Sequence, residues 1–123
     1  MKNKKLINSF KFAFKGIGSC IRSERNMKIH FTIMILVVLL GIILNISMWE
    51  WITCFILFGL VISLEMVNTA IEIVVDMVSP EYNLKAGHVK DIAAGAVLVN
   101  AIVAFIVGLL IFLPKIIGLF IKF

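Results

Sequence analysis

Leu64-Glu65-Met66-Val67-Asn68-Thr69-Ala70-Ile71-Glu72-Ile73-Val74-Val75-Asp76 closes a long apolar run, and its reading decides the fold. On a helix turning about 100° per residue, with Glu65 at zero, Asn68 falls near −60°, Thr69 near +40°, Glu72 near −20° and Asp76 near +20°. All the polar groups share one face of a rod that is otherwise Val, Ile, Met, Leu and Ala. Ionisable groups set in such a surface are costly, which marks them as candidates for function.

Working outward, the stretch lies in a chain of 123 residues that is 62% hydrophobic with a mean hydropathy of +1.11. That is far too apolar for a soluble domain of this size, so one integral membrane domain over 1–123 is expected. Phe31–Trp49 and Ile92–Pro114 carry no charge, and each is close to the roughly 20 residues that cross a hydrocarbon core. Trp51–Leu64 is also uncharged and runs into the polar stripe. The expected architecture is all-α, with spans at about 27–48, 51–78 and 91–113. No cleavable signal peptide is expected, because the first long apolar run begins near Ile29 and no small-residue cleavage site follows it.

Residues 1–28 carry eight Lys or Arg, while Leu6, Ile7, Phe10, Phe14, Ile17 and Ile21 recur at spacings of three and four. This reads as a basic amphipathic helix over about 5–25 lying on an anionic bilayer, a membrane partner rather than a nucleic acid. Gly16-Ile17-Gly18 has no preceding strand and an incomplete fingerprint, so it is not a phosphate loop. The turn Asn45-Ile46-Ser47-Met48-Trp49-Glu50-Trp51 has no Lys or Arg but has the paired tryptophans of an interfacial belt. Residues 79–91 are expected to form a loop, with Pro80 as helix stop, and the tail beyond Leu113 holds Lys115 and Lys122. The excess of basic residues before span one puts the N-terminus in the cytoplasm. Six of the seven acids then lie in or near the cytoplasmic half, and only Glu50 on the other side.

Depth separates the acids by chemistry. With helix two starting near Trp51, Glu65 should sit roughly 9 Å inside the boundary, Glu72 at it and Asp76 just beyond. A carboxyl in a low-dielectric setting suits a general base near neutral pH, and Glu65 is the candidate. Glu72 with Glu24 suits Mg²⁺, which takes one or two carboxylates plus phosphate oxygens, and Lys90 suits a phosphate. Together they fit phosphoryl transfer from a nucleotide to an acceptor in the membrane. Plainer readings compete at each position: hydrogen bonding between helices for the acids, Asn68, Thr69 and Asn100, an interfacial group for His30, a solvated loop residue for His88, and packing for Cys20 and Cys54. A small cation carrier or a holin-like pore is the competing class, although acids toward the outer half are missing from both charge-free runs.

Glu24-Arg25-Asn26, Glu65-x-x-Asn68-x-Ala70-x-Glu72-x-x-Val75-Asp76 and Lys90-Asp91-x-Ala93-Ala94-x-Ala96-Val97 resemble the bacterial diacylglycerol kinase family of small membrane lipid kinases, whose Gram-positive branch includes undecaprenol kinases. The resemblance spans roughly residues 5–112. It implies Glu65 as catalytic base, Glu24 and Glu72 as holders of magnesium and nucleotide, and Asn68 beside them. Lys90 is implied at the γ-phosphate, with Asp91 and Asp76 bordering the nucleotide and Lys5 and Lys15 touching it from the N-terminal segment. It further implies ATP as donor, a homotrimer with active sites between subunits, and a place in the bacterial cell membrane. Phe14-Lys15-Gly16 and His30 depart from the Gram-negative pattern, where a tryptophan and an acid stand. Ser23-Glu24-Arg25-Asn26-Met27-Lys28-Ile29-His30 looks like the Gram-positive branch, which favours undecaprenol over diacylglycerol as acceptor.

Overall fold

A computed structural model describes residues 2–121, and Lys122, expected in the tail, lies outside them. Among the described residues there are four helices and no strand: α1 over Lys2–Ser23, α2 over Arg25–Leu44, α3 over Met48–Val78 and α4 over Leu84–Ile121. The last three are long and apolar enough to cross a membrane. At 1.5 Å per residue, α2 is about 30 Å long, one hydrocarbon core, while α3 and α4 reach about 46 and about 57 Å and must protrude from it.

Local chemistry explains each break. Glu24 is extended (φ −100°, ψ 119°) and caps α2 by position, but its side chain makes no capping hydrogen bond. The interruption expected at residues 23–26 is therefore a single residue wide. α2 ends at Asn45, which adopts the left-handed conformation (φ 52°) that asparagine tolerates better than most residues. The Ile46 N–H then donates to the Gly41 carbonyl at 3.1 Å. Ser47 starts α3 with a capping box: the Glu50 N–H donates to Ser47 Oγ at 3.3 Å and the Ser47 N–H donates to Glu50 Oε1 at 2.9 Å.

Two expectations at the other turns need correction. The loop expected over 79–91 is confined to 79–83, because Asn83 accepts from the Lys85 N–H at 2.8 Å through Oδ1 and so caps α4. His88, Lys90 and Asp91 are accordingly helical. At the far end α4 runs through Pro114 to Ile121. A proline already has helical φ and removes one hydrogen bond, and Ile116 beyond it packs against the core.

α3 and α4 form the most extensive pair, with α2 against α3 and α1 touching both α2 and α3. The buried core of Ile46, Cys54 and Phe112 lies by the α2–α3 turn, supported by Trp51 and Phe58. Cys54 thus has the packing role expected of it. Most other large apolar side chains are exposed, as on Leu36, Ile43, Phe55 and Leu110. Helices solvated by lipid need no inward-facing apolar stripe, since their backbone polar groups are satisfied within each segment. The acidic stripe occupies the end of the hairpin opposite this core.

Candidate active site

The face that sequence periodicity assigns to one side of α3 is buried at its start and open at its end. Glu65 is 1% exposed, Asn68 7% and Thr69 5%, the three buried polar residues among those described. Along the stripe the side-chain exposure climbs from 2% at Glu65 to 64% at Asp76, with Glu72 between them. The stripe thus passes from buried to open along α3. Ala94, Val97 and Ala101 of α4 line the cavity beside Glu65.

Hydrogen bonds stiffen the stripe from within. Thr69 Oγ1 donates to the Glu65 carbonyl at 3.0 Å, and Asn68 Nδ2 donates to Glu72 Oε1 at 3.2 Å. Glu65 Oε2 and Asn68 Oδ1 are buried without a hydrogen-bond partner. Orphaned buried acceptors cost about 1–3 kcal/mol each, which makes these two atoms candidates for a partner from outside the chain. Among the described residues of this chain no helix supplies a hydrogen bond to Glu65 Oε2.

Opposite Glu65 stands a residue that reads from sequence as an interfacial group. His30 Nε2 lies 3.5 Å from Glu65 Oε2, close enough for an ion pair yet outside hydrogen-bond geometry. His30 starts fifteen residues before Asn45, and Glu65 follows Ser47 by eighteen. In an antiparallel hairpin those counts amount to about 23 and about 27 Å of helix, a similar depth. The signal was therefore present, but it needed the turn to be located first.

Both residues open onto space. A cavity of about 230 Å³ is lined by Asn26, His30, Glu65, Ala94 and Val97, among others. A larger apolar cleft of about 410 Å³ runs between α2, α3 and α4 past Cys54, Phe58 and Phe112. His30 and Ala101 line both spaces, so the polar end of one meets the apolar end of the other.

The remaining site residues form a second group at the α3–α4 turn. Lys90 Nζ donates to Asp76 Oδ1 at 2.6 Å, with 39% and 64% of the side chains exposed. A pair this exposed contributes about 0–1 kcal/mol, so the lysine is readily drawn to a stronger anion. A third cavity, of about 320 Å³, lies beside it with Ser79, Tyr82 and Asn83 on its wall. Asp91 is exposed and takes no part in this pair. Lys5 and Lys15 are exposed on α1 and make no ion pair with the stripe.

The acids fit a hard divalent cation to the extent that one chain provides for it. Glu24 and Glu72 are half-buried, the Glu24 carboxylate is not spent on helix capping, and Glu72 has one oxygen outside its bond to Asn68. Among the described residues no three His, Cys, Asp or Glu side chains form a metal-sized cluster. Mg²⁺ requires no such cluster when phosphate oxygens complete its shell.

A family model described as prokaryotic diacylglycerol kinase matches residues 11–112. The chain is 42% identical over 111 residues to an undecaprenol kinase of Bacillus subtilis, covering 90% of each protein. It is 36% identical over 115 residues to a diacylglycerol kinase of Synechocystis, spanning 93% of this chain and 66% of that protein. A diacylglycerol kinase of Escherichia coli is 28% identical over 102 residues, 83% of this chain and 84% of its own length.

Proposed function

The chain belongs to the prokaryotic diacylglycerol kinase family and is a lipid kinase, and on that premise we propose that it transfers the γ-phosphoryl group of ATP to undecaprenol. The reaction takes place at the cytoplasmic face of the bacterial cell membrane, with the N-terminus in the cytoplasm. Identity to the Bacillus subtilis undecaprenol kinase over 90% of both chains supports this choice of acceptor.

One observation carries the mechanism: a carboxylate buried to 1% exposure has an unpartnered oxygen in a cavity that adjoins an apolar cleft. The polyprenyl chain lies in the cleft and its hydroxyl meets Glu65. Glu65 takes the hydroxyl proton as the alcohol oxygen forms its bond to the γ-phosphorus and the bond from that phosphorus to the ADP oxygen breaks. No covalent enzyme intermediate is needed. Attack requires acceptor oxygen and phosphorus in line at about 3–3.5 Å, and holding the lipid in a cleft beside the base supplies that alignment.

The nucleotide is held on the cytoplasmic side of the base. Asn68 orients the Glu72 carboxylate, and Lys90 leaves Asp76 to meet the γ-phosphate, where a cation offsets the charge of transfer. Asp76 and Asp91 border the nucleotide, and Lys5 and Lys15 approach it from α1. Glu24 and Glu72 would hold Mg²⁺, which would supply positive charge against the charge that develops during transfer.

In the membrane α1 lies on the cytoplasmic surface with Leu6, Ile7, Phe10 and Phe14, all more than half exposed, in the bilayer boundary. Three copies assemble, with sites completed between subunits. The buried Asn100 amide nitrogen, which has no partner within the chain, supports a neighbour at mid-span of α4.

The test is transfer of labelled γ-phosphate from ATP by purified protein in mixed micelles that offer undecaprenol and diacylglycerol side by side. Label should appear mainly in undecaprenyl phosphate, and Glu65→Gln should lower the rate by at least about 100-fold with the fold intact. Label mainly in phosphatidic acid would instead favour diacylglycerol, the substrate named for the relatives in Synechocystis and Escherichia coli. Turnover close to wild type in Glu65→Gln would remove Glu65 as base.

A further inference from the structure

We infer that Gly108 on α4 sets how much of the acceptor's chain this protein reads: the cleft beyond Glu65 seats about three isoprene units, and the remainder leaves sideways into lipid. The inference deepens the undecaprenol kinase reading above and rests on it.

The cleft has a polar end and a closed end. His30 and Ala101 stand where it meets the cavity of Glu65, and Glu65 Oε2 is buried there without a hydrogen-bond partner. At the far end Cys54 and Phe112, both members of the buried core, form its floor. From Ala101 to Phe112 the backbone of α4 rises about 16 Å. An isoprene unit advances about 5 Å, four carbon–carbon bonds of about 1.5 Å in a zigzag, so about three units span that depth. Volume agrees. A dry cavity of about 150 Å³ takes one six-carbon benzene ring, so a cleft of about 410 Å³ takes about sixteen carbons, again about three units. Undecaprenol is several times longer, and its remainder has a way out. Ile33 on α2 and Phe105 on α4 line the cleft and are more than half exposed, so it opens to lipid between those helices.

Gly108 lies on the cleft wall, about 10 Å beyond Ala101 and level with the third unit. Apart from its own helix, a Cβ added there would meet nothing within 4 Å. Glycine in a helix interior costs about 1 kcal/mol relative to alanine, and in membranes it serves where another helix comes close. Among the described residues no other helix reaches that point. What the missing side chain leaves free is room in the cleft. A neighbouring subunit's helix is the rival occupant, but this room is continuous with the cavity of an unpartnered carboxylate. Seating a few units holds the hydroxyl beside Glu65 without drawing the whole chain out of the bilayer, where it is already among apolar tails.

The deciding experiment measures kcat/KM at equal mole fraction in mixed micelles for geraniol, with two units, geranylgeraniol, with four, and undecaprenol. In wild type geranylgeraniol should exceed geraniol by about tenfold, the low end of what filling an apolar pocket gives, with undecaprenol within about twofold of geranylgeraniol. Gly108→Leu fills the seat of the third unit, so the geranylgeraniol-to-geraniol ratio should fall to about one while geraniol, too short to need that seat, is phosphorylated as before. Gly108→Ala adds a single methyl and should lower the ratio part of the way; it decides the matter where the leucine variant does not fold. Equal losses on all three alcohols, the result of a neighbouring helix packed at Gly108, overturn the inference. So does a ratio that neither variant changes, or a wild-type rate that keeps climbing from geranylgeraniol to undecaprenol. Failure of the underlying reading looks different: wild type would then label diacylglycerol added to the micelles and none of the three alcohols, and the inference falls with it.

Discussion

At the scale of single residues, the acids of α3 divide by exposure, which suits them to the different work proposed for them. Glu65 is sealed from solvent, whereas Glu72 stands half-buried with Asn68 as donor. A base for a lipid hydroxyl works away from bulk water, and a magnesium ligand must reach phosphate oxygens and water. Glu24→Gln and Glu72→Gln should therefore raise the apparent KM for magnesium-ATP by about tenfold or more, with a shifted magnesium titration and an unaltered KM for lipid. Titration of activity with free Mg²⁺ at fixed ATP checks this, and an unchanged curve would remove both residues from the metal site. Asn68 belongs to the same division, since one end of its amide orients Glu72 and the other is left without a partner.

Among the elements, the α2–α3 turn sets the register of the whole hairpin. Helix ends need partners for their free backbone groups, and here Asn45, Ser47 and Glu50 satisfy them in a few residues. Glu50 also meets Lys115 Nζ at 3.2 Å, which ties the start of α3 to the end of α4. Gly41 leaves room for Trp51, whose ring would lie 2.7 Å from a Cβ added there. Gly41→Val must displace that ring from the core, and should cost about 1–3 kcal/mol by the usual scale of overpacking. Ser47→Ala should cost about 1 kcal/mol through loss of the cap. Denaturant titration in micelles reads both, and a shift of the turn should also lower activity, because His30 and Glu65 are held level by it.

On the scale of the whole molecule, a bundle with a small core at one end and polar groups at the other fits a protein that works at a boundary. The Asn100 amide nitrogen is the exception, unpartnered in the middle of α4. If a neighbouring copy satisfies it, Asn100→Leu should weaken assembly while leaving each subunit helical. Crosslinking at graded detergent dilution would show trimer giving way to smaller species at lower dilution than wild type, and an identical dissociation curve would exclude Asn100 from the interface. Separate subunits should also lose activity if the nucleotide sites are completed between them.

The sequence by itself determined the class of this protein, because hydropathy over long windows does not depend on tertiary contacts. It also determined the polar face of α3, since helical periodicity alone brings Glu65, Asn68, Thr69, Glu72 and Asp76 to one side. The short loop at 79–83 was legible too, through Asn83 as a cap, although Pro80 and the charges at Lys85 and Lys90 masked it. What only the tertiary structure decided were relations between helices: the approach of His30 to Glu65, the pairing of Lys90 with Asp76, and the meeting of cavity and cleft. Those depend on the phase and tilt of one helix against another, which side-chain packing sets and no single helix contains.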